Sequence, residues 1–211
     1  RLMSESRRMT EHSRQLSEGL TASKKQIERL QQELEAVRNE SMRDPLTSIY
    51  NRRAFDLRLA AEVDAAKKHG SSLSLVMADL DHFKRVNDNF GHRVGDEILK
   101  IFASIITNNI KGKDLVARYG GEEFAIILPA TSVQQAAQLI DRIREQMFQR
   151  KLVLKGTKTP IGAITASFGV TQYQPGMAMS DLVEQADQRL YLAKSNGRNR
   201  VQADDLASNA A

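Results

Sequence analysis

Arg118-Tyr119-Gly120-Gly121-Glu122-Glu123-Phe124 is the stretch around which this chain is organised, and it lies between two apolar runs, 115–117 and 125–128. Both runs are typical of β-strands. Two adjacent glycines between such runs are a strong turn signal, because glycine reaches the positive φ that a tight hairpin turn needs. The sequence therefore predicts a β-hairpin whose chain reversal falls at Gly120-Gly121.

Two carboxylates, Glu122 and Glu123, come directly after this predicted turn. The turn itself does not require them, and crowded negative charge costs free energy unless a cation is normally present. The acidic pair is therefore a candidate cation site. Taken alone, these residues fit a solvated hairpin whose acids face water equally well.

Helices and strands alternate on both sides of the hairpin. A helix is predicted to about His69, where Gly70 stops it. Further predicted elements are a strand 73–78 that ends in Asp79-Leu80-Asp81, a short helix and loop 83–92, long helices around 98–106 and 136–147, a strand 161–170, and a last helix capped by Ser180-Asp181 and stopped by Asn196-Gly197. This order predicts an α/β fold of the α+β sandwich kind, a mixed sheet with flanking helices.

Residues 1–43 are polar and carry apolar side chains at heptad spacing. The seam consists of Leu16, Leu20, Ile27, Leu30, Leu34 and Val37. Sustained heptads predict a dimerising coiled-coil stalk, and a single amphipathic helix packed on the domain is the alternative. Pro45 ends this segment. We therefore expect a stalk at 1–43, a domain at 44–201 and a disordered tail at 202–211.

Composition narrows the classes of function. The 211 residues include no cysteine, which removes thiol nucleophiles and cysteine-ligated metals and fits a reducing, cytoplasmic compartment. No apolar run is long enough to span a membrane, so we expect a cytosolic piece of something longer, without membrane contact. The net charge of +5 is compatible with binding phosphates. Aromatic residues are scarce among the scattered basic ones, which argues against nucleic-acid binding.

A second acid, Asp79, ends the predicted buried strand 73–78. If that strand neighbours the hairpin, Asp79 and Glu122 converge at one edge of the sheet, and convergent carboxylates suit Mg²⁺. Capping of the following helix by Asp79 or Asp81 is the structural alternative. The four histidines, His12, His69, His82 and His92, show no metal-ligand spacing, and the chain contains neither a Walker loop nor a GxGxxG motif.

Together these motifs resemble the GGDEF-domain diguanylate cyclases, in the GGEEF form of their signature. The resemblance runs from Asp44 to about Val201. Its motifs are Asp44-Pro45-Leu46-Thr47, Asn51-Arg52-Arg53, Asp79 through Lys84, Asn87-Asp88, Phe90-Gly91-His92, Gly95-Asp96, Arg118 through Phe124, and Tyr191 through Asn199.

The resemblance implies a palm-like, nucleotide-cyclase-like fold and a nucleotidyltransferase activity. Two GTP molecules would condense to the bacterial second messenger cyclic di-GMP, with release of two pyrophosphates, between two facing domains of a homodimer. Two Mg²⁺ ions per site are implied, with Mn²⁺ as a substitute. Asp79, the Leu80 carbonyl and Glu122 correspond to the metal ligands, and Glu122 or Glu123 would assist deprotonation of the attacking ribose 3′-hydroxyl.

The same resemblance implies a substrate site. Asn87 and Asp96 correspond to the residues that read guanine, with His92 as a helper, and Lys84, Lys194 and Arg198 correspond to phosphate contacts. The stalk would connect an upstream sensory domain and act as the control input for signal transduction, and the fragment would be the cytosolic output part of a larger receptor.

One motif departs from the family pattern. Many members carry an Arg-x-x-Asp product-binding inhibitory site, and here that window reads Lys111-Gly112-Lys113-Asp114. Lysine lacks the planar guanidinium fork, so we expect weak or absent product inhibition. The alternative to an active cyclase is a catalytically inactive GGDEF-like module that binds cyclic di-GMP or GTP.

Overall fold

A computed structural model describes residues 24–27, 29–30, 41–153 and 160–204. The chain divides into two compact units, Arg1–Met42 and Arg43–Ala211. In the first unit, residues 24–27 and 29–30 are helical and residues 41–42 form a turn, and two of the predicted seam positions, Ile27 and Leu30, are exposed. The rest of the predicted stalk lies outside the described residues. No helix in the described parts of the chain is long and apolar enough to cross a membrane.

The second unit is built on a mixed sheet with helices on both faces. Its elements are β1 (Tyr50–Asn51), α1 (Arg52–His69), β2 (Leu73–Leu80), α2 (Phe83–Phe90), α3 (His92–Asn109), β3 (Leu115–Arg118), β4 (Glu123–Pro129), α4 (Val133–Phe148), β5 (Leu152–Val153), β6 (Pro160–Gly162), β7 (Ala166–Gln172), α5 (Met179–Ser195) and β8 (Val201–Ala203). The predicted fold class, a mixed sheet with flanking helices, is confirmed.

Six strands form the main sheet, in the order β1-β3-β4-β2-β7-β8. The four central strands pair antiparallel, and the short edge strands β1 and β8 pair parallel with β3 and β7. Strands β5 and β6 form a separate two-stranded sheet. The hairpin β3–β4 therefore lies beside β2, as the predicted convergence of Asp79 and Glu122 requires.

Strand β2 is buried along its whole length and divides the core into two parts. Its residues Val76, Ala78 and Leu80 join α3 and α4 on one face, whereas Leu73, Leu75 and Met77 join α1 and α5 on the other. Side chains of successive strand residues point to opposite faces, so an unbroken apolar run is needed when both faces are covered. Burial on both sides leaves the end of β2 in a fixed position.

Helix ends follow the sequence signals in part. Helix α1 ends at Gly70, whose φ of 63° is left-handed, as predicted. Helix α5 begins after Ala178, which makes no side-chain cap, so the predicted cap at Ser180-Asp181 is wrong: both residues lie in the first turn. The predicted strand 161–170 is also split, because residues 163–165 separate β6 from β7.

The hairpin turn differs from its prediction. Neither Gly120 nor Gly121 has a positive φ, so no left-handed turn forms there. Four residues, 119–122, connect β3 and β4, and the Tyr119 and Gly120 amides both donate to the Glu123 carbonyl, at 2.8 and 3.3 Å. A Cβ at position 120 would meet Glu123 Oε2, which is the end of an exposed, flexible side chain that can move aside.

The domain extends past its predicted end. Strand β8 includes Gln202 and Ala203, and the Asp204 carboxylate accepts hydrogen bonds from Thr171 Oγ1 and Arg189 Nε. Residues 202–204 therefore belong to the fold rather than to a disordered tail that begins at 202. A strand this short could not be predicted from three residues, because its pairing with β7 supplies its order. Residues 205–211 lie outside the described residues.

Candidate active site

Acidic residues converge at the edge of the sheet where β2 ends and β4 begins. Asp79 and Glu123 are directly opposite each other in the antiparallel register, so their side chains share a face. Glu122 precedes them in the hairpin turn, and its carbonyl accepts a hydrogen bond from the Leu80 amide at 3.4 Å. Asp79, Leu80, Glu122 and Glu123 are thus brought together, and the convergence predicted for Asp79 and Glu122 is present.

A single lysine neutralises part of this charge. Lys194 Nζ, in the last turn of α5, lies 2.8 Å from Asp79 Oδ2. The Asp79 side chain is only 8% exposed, whereas that of Lys194 is 32% exposed. Because α5 packs across the face of the sheet that carries Asp79, Lys194 in the last turn of the helix reaches Asp79 at the end of β2.

Burial and mutual repulsion raise the pKa of two of these acids. Burial raises the pKa of Asp79 most; Lys194 opposes the rise, and the charges of Glu123 and Asp81 add to it. The pKa of Glu122 is also raised, first by burial and then by the charge of Asp79. Acids whose pKa values are raised by burial and by neighbouring carboxylates are groups whose ionised form a cation stabilises, so the shifts agree with a cation site.

This donor set fits a hard divalent cation. The predicted ligands are two carboxylates and the Leu80 carbonyl, and Mg²⁺ prefers one or two carboxylates together with phosphate and water oxygens. Among the described residues no group of three or more His, Cys, Asp or Glu side chains is arranged to hold a metal ion. The ammonium group of Lys194 on Asp79 shows that the position accepts a cation.

Arg118 fixes the turn that carries Glu122. Its Nε and Nη2 atoms donate to the Gly121 carbonyl at 3.0 and 2.7 Å, and its Nη1 donates to both oxygens of Asp44 at 3.3 Å. Asp44 in turn accepts from the Thr47 amide and hydroxyl at 2.8 and 2.6 Å. The first residues of the domain and the acidic turn are therefore joined through one guanidinium group.

Asp81 does not cap a helix. The N-cap of α2 is His82, which has a left-handed φ of 57° and makes no side-chain cap bond. Asp81 is buried and instead accepts from Thr165 Oγ1, Ser167 Oγ and the Asn199 amide, at 2.7, 2.7 and 3.0 Å. The capping interpretation of Asp79 and Asp81 is wrong, because both carboxylates bind residues that are distant in the chain: Asp79 binds Lys194, and Asp81 binds the three donors just named.

The predicted guanine-reading residues lie on α2 and α3. Asn87 Oδ1 is buried and has no hydrogen-bond partner. A Cβ on Gly95 would collide with this oxygen, so glycine there makes room for the Asn87 amide, and Asp96 is the next residue of α3. A buried acceptor without a partner costs about 1–3 kcal/mol, which a donor on a ligand would recover.

The other predicted contacts are more exposed. Lys84 and His92 are exposed on α2 and at the start of α3, and Arg198 is exposed in the loop after α5. Within the described part of the chain, no hydrogen bond or ion pair joins the side chains of Lys84, His92 or Asp96 to the acidic group. The structure therefore brings Lys194 to the acids, whereas Lys84, His92 and Asp96 form no hydrogen bond or ion pair with them among the described residues.

The predicted inhibitory site lies apart from this edge. Lys111 and Asp114 form a turn in which Asp114 Oδ2 accepts from the Lys111 amide at 3.0 Å, and both line a cavity of about 440 Å³ with Arg43 and Lys100. Burial raises the pKa of Asp114, and the hydrogen bond from the Lys111 amide opposes the rise.

Three contributors to the site were not predicted from the sequence. Arg118 was visible only as a member of a motif, and Asp81 only as a member of a motif and an alternative helix cap. Asp187 lies two turns before Lys194 on α5, and burial raises its pKa, while the nearby charges of Lys194 and Arg52 oppose the rise. The i, i+7 spacing of Asp187 and Lys194 places them on one helix face and is the only sequence signal for this neighbour.

Comparison with known proteins identifies the class to which this fold and site belong. The family model described as diguanylate cyclase, GGDEF domain, matches residues 41–200. The chain is 38% identical over 203 residues to diguanylate cyclase DgcP of Pseudomonas aeruginosa and to diguanylate cyclase VdcA of Vibrio cholerae, covering 93% and 95% of this chain. The chain therefore belongs to the GGDEF-domain family.

A solved structure that includes a coiled coil is also similar to this chain. The coiled coil and GGDEF domain of DgcB from Caulobacter crescentus, in complex with c-di-GMP, is 38% identical with a TM-score of 0.84, and the match covers 90% of this chain and 99% of that one. The chain spans 30% of the length of DgcP and 58% of VdcA.

Proposed function

We propose that the protein is a diguanylate cyclase that condenses two GTP molecules into cyclic di-GMP and releases two pyrophosphates. The observation that carries the proposal is the convergence of Asp79 and Glu122 beside the Gly-Gly turn, with the cation of Lys194 on Asp79. Acids with raised pKa values that surround a cation position at a strand end suit phosphoryl-transfer chemistry. The relatives named diguanylate cyclase support the same activity.

In this mechanism the chain binds one GTP per domain. Asp79, the Leu80 carbonyl and Glu122 would hold Mg²⁺, which when bound neutralises triphosphate charge and favours the 3′-alkoxide. Glu122 or Glu123 accepts the proton of the 3′-hydroxyl that attacks the α-phosphate of the partner's GTP. Glu123 is exposed and lies beside the turn, so it remains open to a facing domain.

Substrate recognition is assigned to the surrounding residues. Asn87 and Asp96 bind the guanine edge, where the partnerless Asn87 Oδ1 accepts a base N–H, and His92 assists. Lys84, Lys194 and Arg198 bind the phosphates as cations. Lys194 thereby exchanges Asp79 for a phosphate oxygen when nucleotide enters.

Regulation is assigned to two segments, the N-terminal residues 1–43 and the inhibitory window Lys111–Asp114. Residues 1–43 form a dimerising coiled coil that sets how two domains face each other, under control of a sensory domain upstream. The coiled coil of DgcB supports this assignment. At the inhibitory site Lys111 replaces arginine, so we expect product inhibition to be weak or absent. Calorimetry that showed submicromolar cyclic di-GMP binding, abolished by Asp114→Ala, would contradict this expectation.

The activity is tested by incubating the purified chain with GTP and Mg²⁺ and detecting cyclic di-GMP by mass, at two protein concentrations. Glu122→Ala should make no product, whereas the matched control Glu184→Ala, an exposed acid of α5, should behave as wild type. Product that rises faster than linearly with enzyme concentration supports the dimer. GTP binding without product at any concentration would favour the inactive binding module.

A further inference from the structure

Asp81 is a buried acid whose two carboxylate oxygens are both used by the protein. Its side chain lies just past the end of β2, and the residue is 5% exposed. Oδ1 accepts from Ser167 Oγ, and Oδ2 accepts from Thr165 Oγ1 and from the Asn199 amide. Ser167 lies at the start of β7 and Thr165 just before it, whereas Asn199 lies in the loop after α5.

That loop has a costly backbone conformation. Gly197, Arg198 and Asn199 have φ values of 112°, 63° and 47°, three consecutive residues in the left-handed region. Arginine is disfavoured there because its Cβ approaches the backbone, and such conformations persist only where surrounding contacts determine them. The Arg198 amide donates to the Ala193 carbonyl at 3.0 Å, and the Asn199 amide donates to Asp81.

We propose that Asp81 is a positioning residue for the substrate: it holds the 196–200 loop in its left-handed form and so sets where the Arg198 guanidinium meets the GTP phosphates. The inference rests on the proposed function. It assigns different work to two acids of one motif, since Asp79 faces the cation position and Asp81 anchors the loop that carries a phosphate-binding cation. The carboxylate acts through backbone geometry and touches no substrate.

The chain contains a matched control at the other end of β7. Asp204 also accepts three hydrogen bonds, from Thr171 Oγ1, the Gln172 amide and Arg189 Nε. It ties β8 to β7 and α5, whereas Asp81 ties the 196–200 loop to β7. Loss of Asp204 should therefore destabilise the fold without moving Arg198.

Binding of a non-hydrolysable GTP analogue with Mg²⁺, measured by calorimetry on the full chain, tests the proposal. Because hydrogen bonds to charged groups are strong, Asp81→Ala and Arg198→Ala should each weaken binding about tenfold. The double variant should be no weaker than either single variant. Asp81→Asn can keep an oxygen at the Oδ2 position and should bind within about threefold of wild type. Asp204→Ala should bind as wild type.

Hydrogen exchange gives a readout that is independent of nucleotide. The Asn199 amide should exchange at least about tenfold faster in Asp81→Ala, and the Gln172 amide should do so only in Asp204→Ala. If Asp81→Ala does not fold, Asp81→Glu, which moves the carboxylate by one methylene, should show the same two effects.

Two results would overturn the inference: unchanged analogue binding in Asp81→Ala while Arg198→Ala binds weakly, or losses that multiply in the double variant. Failure of the proposed function looks different, because the wild-type chain would then bind no analogue. The exchange rate of the Asn199 amide would still report whether Asp81 holds the loop.

Discussion

Replacing Arg118 by glutamine should weaken both the entry of the domain and the acidic turn. The substitution removes two hydrogen bonds to the Gly121 carbonyl and two longer ones to the Asp44 carboxylate. Gly121 is exposed, so water can replace its lost donors. Asp44 keeps its bonds from Thr47 but loses its cation, and the side chains of this ion pair are 19% and 14% exposed.

The expected cost follows from these contacts. A net hydrogen bond contributes about 0.5–1.5 kcal/mol, and water recovers part of the Gly121 contribution, so we expect a loss of about 2 kcal/mol. For a domain of this size that corresponds to a fall in Tm of about 4–8 °C. Lys100→Gln is the matched control: its ion pair with Glu97 is exposed, with side chains 46% and 52% accessible. It should change the free energy of unfolding by less than about 0.5 kcal/mol.

The effect should also depend on pH. Burial raises the pKa of Asp44, but the hydrogen bonds from Thr47 and the charge of Arg118 outweigh burial and hold the pKa below its usual 3.8. A carboxyl group with a lowered pKa stabilises the fold above its unfolded pKa, and this contribution is lost as pH falls through the folded pKa. Thermal unfolding should therefore separate wild type from Arg118→Gln more at pH 7 than near pH 3. Equal Tm values at pH 7, or a difference that does not shrink in acid, would refute the reasoning.

Three further perturbations test two residues of the site and the packing of β7 against α5. Lys194→Gln leaves Asp79 buried without its cation, so the free energy of unfolding should fall by about 3 kcal/mol. Titration without nucleotide should also show tighter Mn²⁺ binding, because the lysine no longer competes for Asp79, and an unchanged Mn²⁺ affinity would argue against the shared cation position. Because a raised pKa in the folded state disfavours the charged form, Glu122→Gln in EDTA should raise Tm at pH 7–8, with the gain disappearing near pH 4. Gly169→Ala places a Cβ against the backbone of α5 and should cost about 3 kcal/mol in denaturant unfolding, whereas Gly121→Ala, with nothing near its Cβ, should stay within about 1 kcal/mol.

The sequence predicted what local pattern encodes. The apolar run that ends at Asp79 predicted a buried central strand, and the paired glycines predicted the hairpin. Even there the backbone conformation differed from the prediction. The chain reverses at the paired glycines without a positive φ at either of them, because the glycine signal marks a chain reversal and does not fix its backbone conformation.

Contacts between distant segments could not be predicted in this way. Arg118 meets Asp44 across 74 residues, and Asp81 meets Asn199 across 118. Sequence spacing carries no information about such pairs until the order of strands is known. Local capping was therefore the structural alternative for Asp81, because acids are favoured before a helix, whereas the fold uses Asp81 to hold two remote segments.

The candidate site is stabilised by the residues around it, because its central acids are unfavourable when they are ionised without a cation. Burial and repulsion raise the pKa values of Asp79 and Glu122, so the acids that would bind a cation lower the stability of the cation-free fold. Neighbouring residues offset this loss of stability: Arg118 holds the turn through the Gly121 carbonyl, and Asp81 holds the loop that carries Arg198 through the Asn199 amide. Each anchor forms several hydrogen bonds with segments far apart in the chain. Substitution of an acid at the centre should therefore remove activity and leave the fold intact, whereas substitution of an anchor should reduce stability and activity together.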